Sequence, residues 1–314
     1  FIDQQINTTV NYTYTFKPKT IEPFKNTKVF NKSDYWKLLR EFNFNYLPTN
    51  ISFSSNIIRQ FNKQQFRQVE VGLPLDALYR RNYSFNYQYG FNYNLTKALK
   101  INYTAASQNI VRSYIDENNQ PDNSYTVWTD FWNIGTPNQH NQQIVINYDL
   151  PINKIPLLAF VKPTYSYTGG YSWQRASLAF ETVPLNGVEY NLGNTIQNSG
   201  AHRLNTAFSM ETFYKYIGLG KKTPKANAPK PAAPKPGEKI TNTKAQPAQS
   251  TNVFLDGLKG VLTSVKNIQI NYTQNEGTVL PGFLPSLGFF GSSKPGIGFI
   301  FGTQDDVRFE AAKN

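Results

Sequence analysis

Large apolar residues and polar residues alternate along residues 82–95 with a period of two. One set of positions is aromatic or aliphatic, and the positions between them carry amides, hydroxyls or no side chain. Because successive side chains of a β-strand point to opposite faces, this segment predicts a strand with one aromatic face and one polar face. Such a strand spans about 46 Å, whereas an ordinary strand has about 5–6 residues and a tilted strand crosses a bilayer with about 9–11.

The same alternation recurs along the chain and predicts about nine to eleven strands at the spacing of an antiparallel meander. A transmembrane strand needs an apolar side toward lipid, and a wet lumen favours polar side chains on the other side. The pattern therefore predicts an all-β fold, an antiparallel transmembrane β-barrel. The further strands begin near Ile6, Ile51, Leu99, Ile144, Tyr165, Leu204 and Ile268.

Alternation assigns each strand residue to one of two faces. The residues predicted to line the lumen are Asn82, Ser84, Asn86, Gln88, Gly90, Asn92, Asn94, Asn102, Gln143, Asn147, Asn205, Gln269 and Asn271. The residues predicted to face lipid are Tyr83, Phe85, Tyr87, Tyr89, Phe91, Tyr93, Ile101, Tyr103, Ile144, Ile146, Tyr148, Ile268, Ile270 and Tyr272. We expect the outermost Tyr and Trp residues to lie at the two membrane interfaces.

Other classes of protein also have alternating strands. A water-soluble sandwich usually places Lys, Glu and Arg on its outer face, whereas the polar positions here are mostly amides and hydroxyls. A soluble β-rich surface adhesin stays open as an alternative, and it would be soluble without detergent. A smaller outer-membrane porin or uptake barrel also stays open, and its first and last strands would pair within these 314 residues.

Composition narrows the chemistry. Aromatic residues make up 15% of the chain and charged residues only 17%, so amides and hydroxyls supply much of its polarity. The chain has no cysteine, which excludes a disulfide framework, a thiolate metal site and a Cys nucleophile. No run of 18 apolar residues occurs, so the sequence predicts no transmembrane helix.

The net charge of +12 is concentrated in one region. Eight lysines and one acid between Lys215 and Ser250 account for +7 of it. Residues 219–250 are rich in Lys, Pro and Ala, and such a segment cannot bury apolar surface, so we expect a disordered loop. Nucleic-acid binding is not favoured, because no aromatic residue accompanies the basic ones after Tyr216. The predicted organisation is barrel-wall strands with connecting loops over 1–218, the disordered loop over 219–250, and a rim helix, further strands and an apolar loop over 251–314.

Two short helices are predicted outside the strands. Ser33 is a capping residue for a helix that ends near Phe42, and residues 251–265 place apolar side chains on one helical face. The longest remaining connections are residues 112–138 and 274–296. The second of these is too apolar for a loop in water, so we expect it to pack against the barrel wall, a cap or a partner.

Catalytic and metal-binding patterns are weak in this sequence. His140 and His202 have no ligating neighbours at metal spacing, and we expect each at a strand end or in a loop. Neither a P-loop nor a nucleophile elbow is present, and the glycines near residue 298 do not have dinucleotide-binding spacing. We therefore predict no enzyme activity, no catalytic residue, no cofactor and no metal. The first residues lack a signal-peptide pattern, and residues 298–305 are predicted as a strand that is cut off soon after it begins, so we expect an internal piece of a longer protein.

Several stretches resemble the SprA/Sov family, the giant outer-membrane translocon of the type IX secretion system of Bacteroidota. The matching stretches are residues 36–48, 52–59, 141–151, 213–218, 279–285 and 298–304. The resemblance implies that this chain is an arc of a very large single-chain barrel. It also implies an outer-membrane, cell-surface location in a Gram-negative bacterium, and a channel that exports folded cargo proteins and is linked to gliding motility.

The resemblance implies partners as well. In this family a small barrel of the PorV type covers a lateral gate, and a periplasmic plug protein closes the channel. Outer-membrane lipid and the secreted cargo proteins would be the other contacts, and no nucleic acid is expected. The family carries no catalytic residues, so the resemblance transfers no residue roles onto this sequence.

Overall fold

Eight long strands and four short ones form the framework of the protein. A computed structural model describes residues 1–66, 76–116, 118, 120–177, 183–219, 253–291 and 294–309. The strands are β1 (Ile2–Thr15), β2 (Thr20–Ile21), β3 (Phe44–Asn45), β4 (Asn50–Gln64), β5 (Leu78–Asn94), β6 (Leu99–Ile110), β7 (Thr136–Asp149), β8 (Val161–Gln174), β9 (Val183–Leu185), β10 (Val188–Tyr190), β11 (Asn194–Ser209) and β12 (Asn267–Phe283).

The long strands form one antiparallel sheet in the order β1-β4-β5-β6-β7-β8-β11-β12. Each long strand pairs with the long strands before and after it in sequence, which confirms the predicted antiparallel meander. β1 and β12 are the two edges and do not pair with each other, so the sheet is open within the described residues. The other two sheets, β2 with β3 and β9 with β10, have two strands each, so among the described residues no second large sheet faces the first.

The connections divide between the two ends of the sheet. The four-residue turn 95–98 and the connection 150–160 lie at one end, called the turn end. The described residues of 111–135 and of 284–309 lie at the opposite end. There they fold back over one face of the sheet, so we call the described residues of 111–135 the first strap and those of 284–309 the second strap. The opposite end is therefore called the strap end.

Four α-helices of the described residues lie outside the sheet: α1 (Lys37–Arg40), α2 (Met210–Tyr216), α3 (Val253–Leu262) and α4 (Ile297–Ile300). α1 extends a 3₁₀ turn at Asp34–Trp36, and the Ser33 hydroxyl accepts the Tyr35 N–H as the predicted cap. The predicted helix over 251–265 corresponds to α3. α2 was not predicted; it has only seven residues and follows β11 directly.

Two predictions about the C-terminal region are wrong. Residues 274–283, predicted as part of a loop, continue β12, where Pro281 is paired with Thr195 on one side and its other side is the sheet edge. Edge strands tolerate proline, since its missing N–H faces no partner there. Residues 298–305, predicted as a strand, include most of α4 instead, and Gly302 has a φ of 95° that ends this turn. The expected packing of the apolar segment is confirmed in the second strap.

The two cores lie under the straps. Beneath the second strap, Tyr171, Trp173 and Ile196 of the sheet pack with Phe283, Leu287, Phe299 and Val307. Beneath the first strap, Tyr83 of β5 packs with Val111, Tyr125 and Val127. Among the described residues, no helix has the length and apolar character needed to span a membrane. The predicted disordered loop 219–250 lies outside the described residues apart from Leu219.

Candidate functional surfaces

The register of the sheet places the two predicted residue sets on opposite faces. Asn92 is paired with Asn102, and along the next row Tyr93 is paired with Ile101, which is paired with Ile146. Every residue predicted to line a lumen lies on one face, here called the amide face. Every residue predicted to face lipid lies on the other, the aromatic face. What each face contacts stays a prediction.

Cross-strand hydrogen bonds run along the amide face. Asn92 Nδ2 donates to Asn50 Oδ1 at 2.7 Å, and Asn82 Nδ2 donates to Gln60 Oε1 at 3.0 Å. Asn56 donates to side-chain oxygens of Asn7 and Thr9 on the neighbouring strand. Directly opposed side chains are the units that stabilise a sheet, and amide pairs satisfy each other without any net charge.

Charge is sparse on the amide face and lies mainly at its margins. Its six charged residues on the eight long strands are Asp3, Arg80, Lys100, Asp149, Lys162 and Arg203. Of these, only Arg203 is more than three residues from a strand end. Two depressions of about 550 Å³ and about 400 Å³ also open on this face, lined by residues of β4 to β8 and β11 such as Gln88, Asn141 and Ser172. The middle of the face is therefore concave, hydrated and nearly neutral.

The aromatic face has two halves with different chemistry. Toward the turn end it carries no charged residue, and its polar groups include the hydroxyls of Tyr93, Tyr148, Tyr165 and Thr206, among aliphatic and phenyl side chains. Toward the strap end it carries all four charged residues of this face, which are Arg59, Lys63, Arg81 and Glu276. The straps cover only this second half.

The first strap is held by arginines of the aromatic face. The Arg59 side chain is fully buried, and its Nη2 donates to the carbonyls of Asp130 at 2.9 Å and Phe131 at 3.0 Å. Its guanidinium lies 4.9 Å from the centre of the Tyr83 ring. Arg81 Nη2 donates to the carbonyl of Asp122 at 3.1 Å. Guanidinium groups suit this role because they donate several hydrogen bonds and also stack on aromatic rings.

The second strap is held mainly through its backbone carbonyls. Gln142 Nε2 donates to the Ile300 carbonyl at 2.7 Å, and the Tyr167 hydroxyl donates to the Phe301 carbonyl at 2.6 Å. Asn198 Nδ2 donates to the Phe299 carbonyl at 3.1 Å and to the Thr303 carbonyl at 2.7 Å. These donors come from β7, β8 and β11, so one short turn joins three strands.

Paired glycines allow the strap backbone to approach the sheet. Gly169 and Gly200 are direct cross-strand partners, and they lie beneath Phe301 and Gly302. A Cβ atom added at Gly200 would lie 2.5 Å from the Gly302 carbonyl oxygen, closer than real Cβ contacts occur. Farther along, the Tyr87 ring stacks on Phe289 at 4.3 Å between centres, and its hydroxyl donates to the Phe289 carbonyl at 2.6 Å.

At the turn end, the segment before β4 forms a cavity of about 970 Å³ with the turns 95–98 and 150–155. Its lining is mainly apolar, from residues such as Leu39, Phe42 and Ile152, and Glu22 lies on its rim. The Glu22 carboxylate contacts Lys25 Nζ and Lys97 Nζ, each at 2.6 Å. The hydrogen bonds from Lys25 and then Lys97 lower the pKa of Glu22 to about 2, so the carboxylate stays charged at neutral pH.

The structure corrects several site predictions. Tyr83 and Tyr87, predicted to face lipid, are 1% and 3% exposed, because the first strap covers Tyr83 and the second covers Tyr87. Ser84, predicted to line the lumen, is 5% exposed and lies between its cross-strand neighbours Ile58 and Ile110. These three residues are therefore not available to the predicted surroundings.

Both histidines lie inside strands, so their predicted placement at strand ends or in loops is wrong. His140 is fully buried in β7, with Nδ1 2.6 Å from the Ser107 hydroxyl. His202 lies within β11, with Nδ1 2.7 Å from the Tyr165 hydroxyl. Among the described residues, no group of three or more His, Cys, Asp or Glu side chains is placed to hold a metal ion.

Sequence reasoning missed the residues that bind the straps, namely Arg59, Gln142 and Asn198. A signal for them was present, since each breaks the apolar set of its strand on the aromatic face with a polar side chain. The chain was compared with models of known protein families and with curated proteins, and neither comparison finds a match.

Proposed function

We propose that this chain is part of the wall of an outer-membrane channel that conducts proteins. In this proposal the channel exports folded cargo in type IX secretion, and it lies in the outer membrane of a Gram-negative bacterium. The observation that carries the proposal is the two-faced sheet, whose long strands separate an apolar, aromatic surface from a neutral amide surface. The resemblance to the SprA/Sov translocon supplies the secretion pathway.

The aromatic face supports contact with lipid. Near the turn end its side chains are large and uncharged, including Tyr14 and Ile51 on the outer strands, which are 50% and 38% exposed. In water such a continuous apolar surface would favour aggregation, whereas lipid solvates it. The absence of a second large sheet over this face, among the described residues, weakens the alternative of a soluble sandwich.

The amide face supports a conduit for folded proteins. Cargo proteins differ in surface charge, so a wall that bound one sign of charge strongly would retain some of them. Neutral amides and hydroxyls, such as Gln88, Asn147 and Gln269, offer weak contacts that water exchanges readily. Selective pores instead commonly place rings of charged side chains at their constriction. The concave amide face is consistent with the inner side of a curved wall.

The open edges support an arc rather than a small closed barrel. β1 forms one edge of the sheet with 14 residues of backbone, and β12 forms the other edge with 17. Unpaired strand edges of this length tend to pair with other strands, and barrels satisfy them by continuing the wall. In the proposal, further wall strands or the edges of a lateral gate lie beside β1 and β12. By resemblance, a PorV-type barrel and a periplasmic plug are the expected partners.

A pair of neighbouring lysine substitutions tests the wall. Ile146 and Asn147 are adjacent in β7 and lie on opposite faces. Ile146→Lys should lower the stability of the protein in lipid vesicles by about 2–4 kcal/mol, whereas Asn147→Lys should change it by less than about 1 kcal/mol. Equal effects of the two variants on urea unfolding would contradict lipid contact of the aromatic face.

Photo-crosslinking in cells tests the conduit. A photoreactive amino acid at Asn147 or Gln269 should crosslink to secreted proteins during export, and the same group at Ile146 or Ile270 should crosslink to lipid or to nothing. Crosslinks to cargo from the aromatic face only would exclude the proposed lumen. Absence of cargo crosslinks from both faces, in cells that are actively secreting, would leave a wall without the proposed function.

A further inference from the structure

The straps cover part of the aromatic face, toward the strap end. Ile101, Ile146 and Tyr165 lie toward the turn end, where no charged side chain occurs on the face. Arg59, Arg81 and Glu276 lie farther toward the strap end. Composition and coverage are independent observations, and both distinguish the turn end of this face from its strap end.

Charged side chains on this face would be incompatible with hydrocarbon, and the straps compensate for two of the four, Arg59 and Arg81. Arg59 is fully buried and its Nη2 donates to two carbonyls of the first strap, and Arg81 also donates to that strap. The buried His140 and Gln142 lie near Gly291 of the second strap, and Gln142 donates a hydrogen bond to the Ile300 carbonyl of the same strap. In the strap-end half, these side chains therefore contact protein of the straps instead of solvent.

Strand length requires such a division. β5 has 17 residues, which at about 3.3 Å each and a tilt of about 40° rise roughly 43 Å along a barrel axis. The apolar band of an outer-membrane barrel is only about 25 Å tall. At least about 18 Å of β5 must therefore lie outside the hydrocarbon, by the same geometry.

We propose that lipid contacts only the turn-end half of the aromatic face, and that the strap-end half with its two straps forms a collar that projects into water. This inference rests on the proposed function, because it places a membrane around the sheet. Trp128 and Trp132 of the first strap are 67% and 77% exposed, and in the collar they would face water rather than acyl chains. The lipid partner is thus the acyl-chain region of the bilayer over the turn-end half alone.

Spin labels on single cysteines test the collar in lipid vesicles, since the chain has no cysteine of its own. Ile101→Cys and Ile146→Cys probe the turn-end half, and Asn102→Cys and Asn147→Cys are matched controls on the amide face. Asn123→Cys and Ser286→Cys probe exposed positions of the two straps. For each label, collision with oxygen reports lipid contact and collision with a water-soluble nickel chelate reports water contact.

We expect labels at positions 101 and 146 to collide mainly with oxygen. Labels at 123 and 286, like the amide-face controls, should collide at least tenfold more with the nickel chelate than the labels at 101 and 146 do. If positions 123 and 286 also collide mainly with oxygen, the membrane covers the straps and the collar is refuted while the wall stands. If positions 101 and 146 collide with the chelate as readily as 102 and 147, the proposed membrane wall itself fails.

Discussion

A single methyl group at Gly200 is expected to detach the second strap. The Cβ of Gly200→Ala would lie 2.5 Å from the Gly302 carbonyl oxygen, and that oxygen belongs to a backbone turn rather than to a flexible side chain. Ordinary contact begins about 0.9 Å farther away. The strap must therefore shift by roughly this distance, or the two strands beneath it must separate.

The size of the effect follows from the hydrogen bonds at stake. Three hydrogen bonds to strap carbonyls have lengths of 2.6–2.7 Å, namely Gln142 to Ile300, Tyr167 to Phe301 and Asn198 to Thr303. A shift of about 0.9 Å would stretch them to the limit of hydrogen bonding. Each such bond contributes about 0.5–1.5 kcal/mol, and overpacking by a methyl group costs about 1–3 kcal/mol. We expect the strap to lose about 2–4 kcal/mol of its closing free energy, allowing for partial relaxation.

Hydrogen exchange of the strap amides measures this loss directly. The N–H groups of Ile300, Gly302 and Thr303 donate within the strap, so their exchange requires the strap to open. A loss of 2–4 kcal/mol should speed their exchange roughly 30- to 1,000-fold. Gly170→Ala is the matched control, because Gly170 follows Gly169 in the chain but faces the opposite, amide side of the sheet. The only close contact of a Cβ added there would be the rotatable Ser199 hydroxyl. Equal exchange in Gly200→Ala and Gly170→Ala would refute the argument that glycine is required for strap docking.

Two further predictions concern the first strap and the turn end. Arg59→Met should destabilise the protein by about 2–3 kcal/mol in denaturant unfolding, because the Asp130 and Phe131 carbonyls of the first strap lose a charged donor, and a Met variant as stable as the parent would contradict this. Glu22 has a lowered folded-state pKa of about 2, so its ion pairs stabilise the fold above its ordinary value of 4.5 and lose this effect as pH falls from 4.5 toward 2. The thermal midpoint of Glu22→Gln should therefore fall less than that of the parent over this pH range, and parallel pH profiles would exclude the effect.

Alternation alone predicted most of the sheet. Because a strand has a period of two, residues such as Tyr93 and Asn94 could be assigned to opposite faces without knowledge of their partners. Nearest-neighbour pairing then followed from the meander of strands along the chain, and the register kept all of these assignments consistent. The capping Ser33 likewise marked its short helix, since that contact lies within two residues in sequence.

The straps could not be predicted from any local period. Phe289, Phe299 and Phe301 do not form one continuous strand or helix pattern, because each fits a different site on a surface that exists only after folding. Phe299 and Phe301 are spaced like strand residues, yet the hydrogen bonds that three distant side chains donate to the backbone carbonyls of residues 299–301 favour a turn. For the same reason Tyr83 and Tyr87 were assigned to lipid, although the chain itself covers them.

The long sequence separation of the second strap's contacts has a consequence for assembly. Its bonds reach back 202 residues to Tyr87, 158 to Gln142 and 101 to Asn198, whereas each hairpin of the sheet closes between consecutive long strands. Contacts of high separation form late, so the strap docks only after β5 through β11 have paired. A slip of one residue in β5, β7, β8 or β11 would turn a hydrogen-bond donor of the strap to the opposite face. The docked strap therefore stabilises the sheet only when these strands are in the correct register.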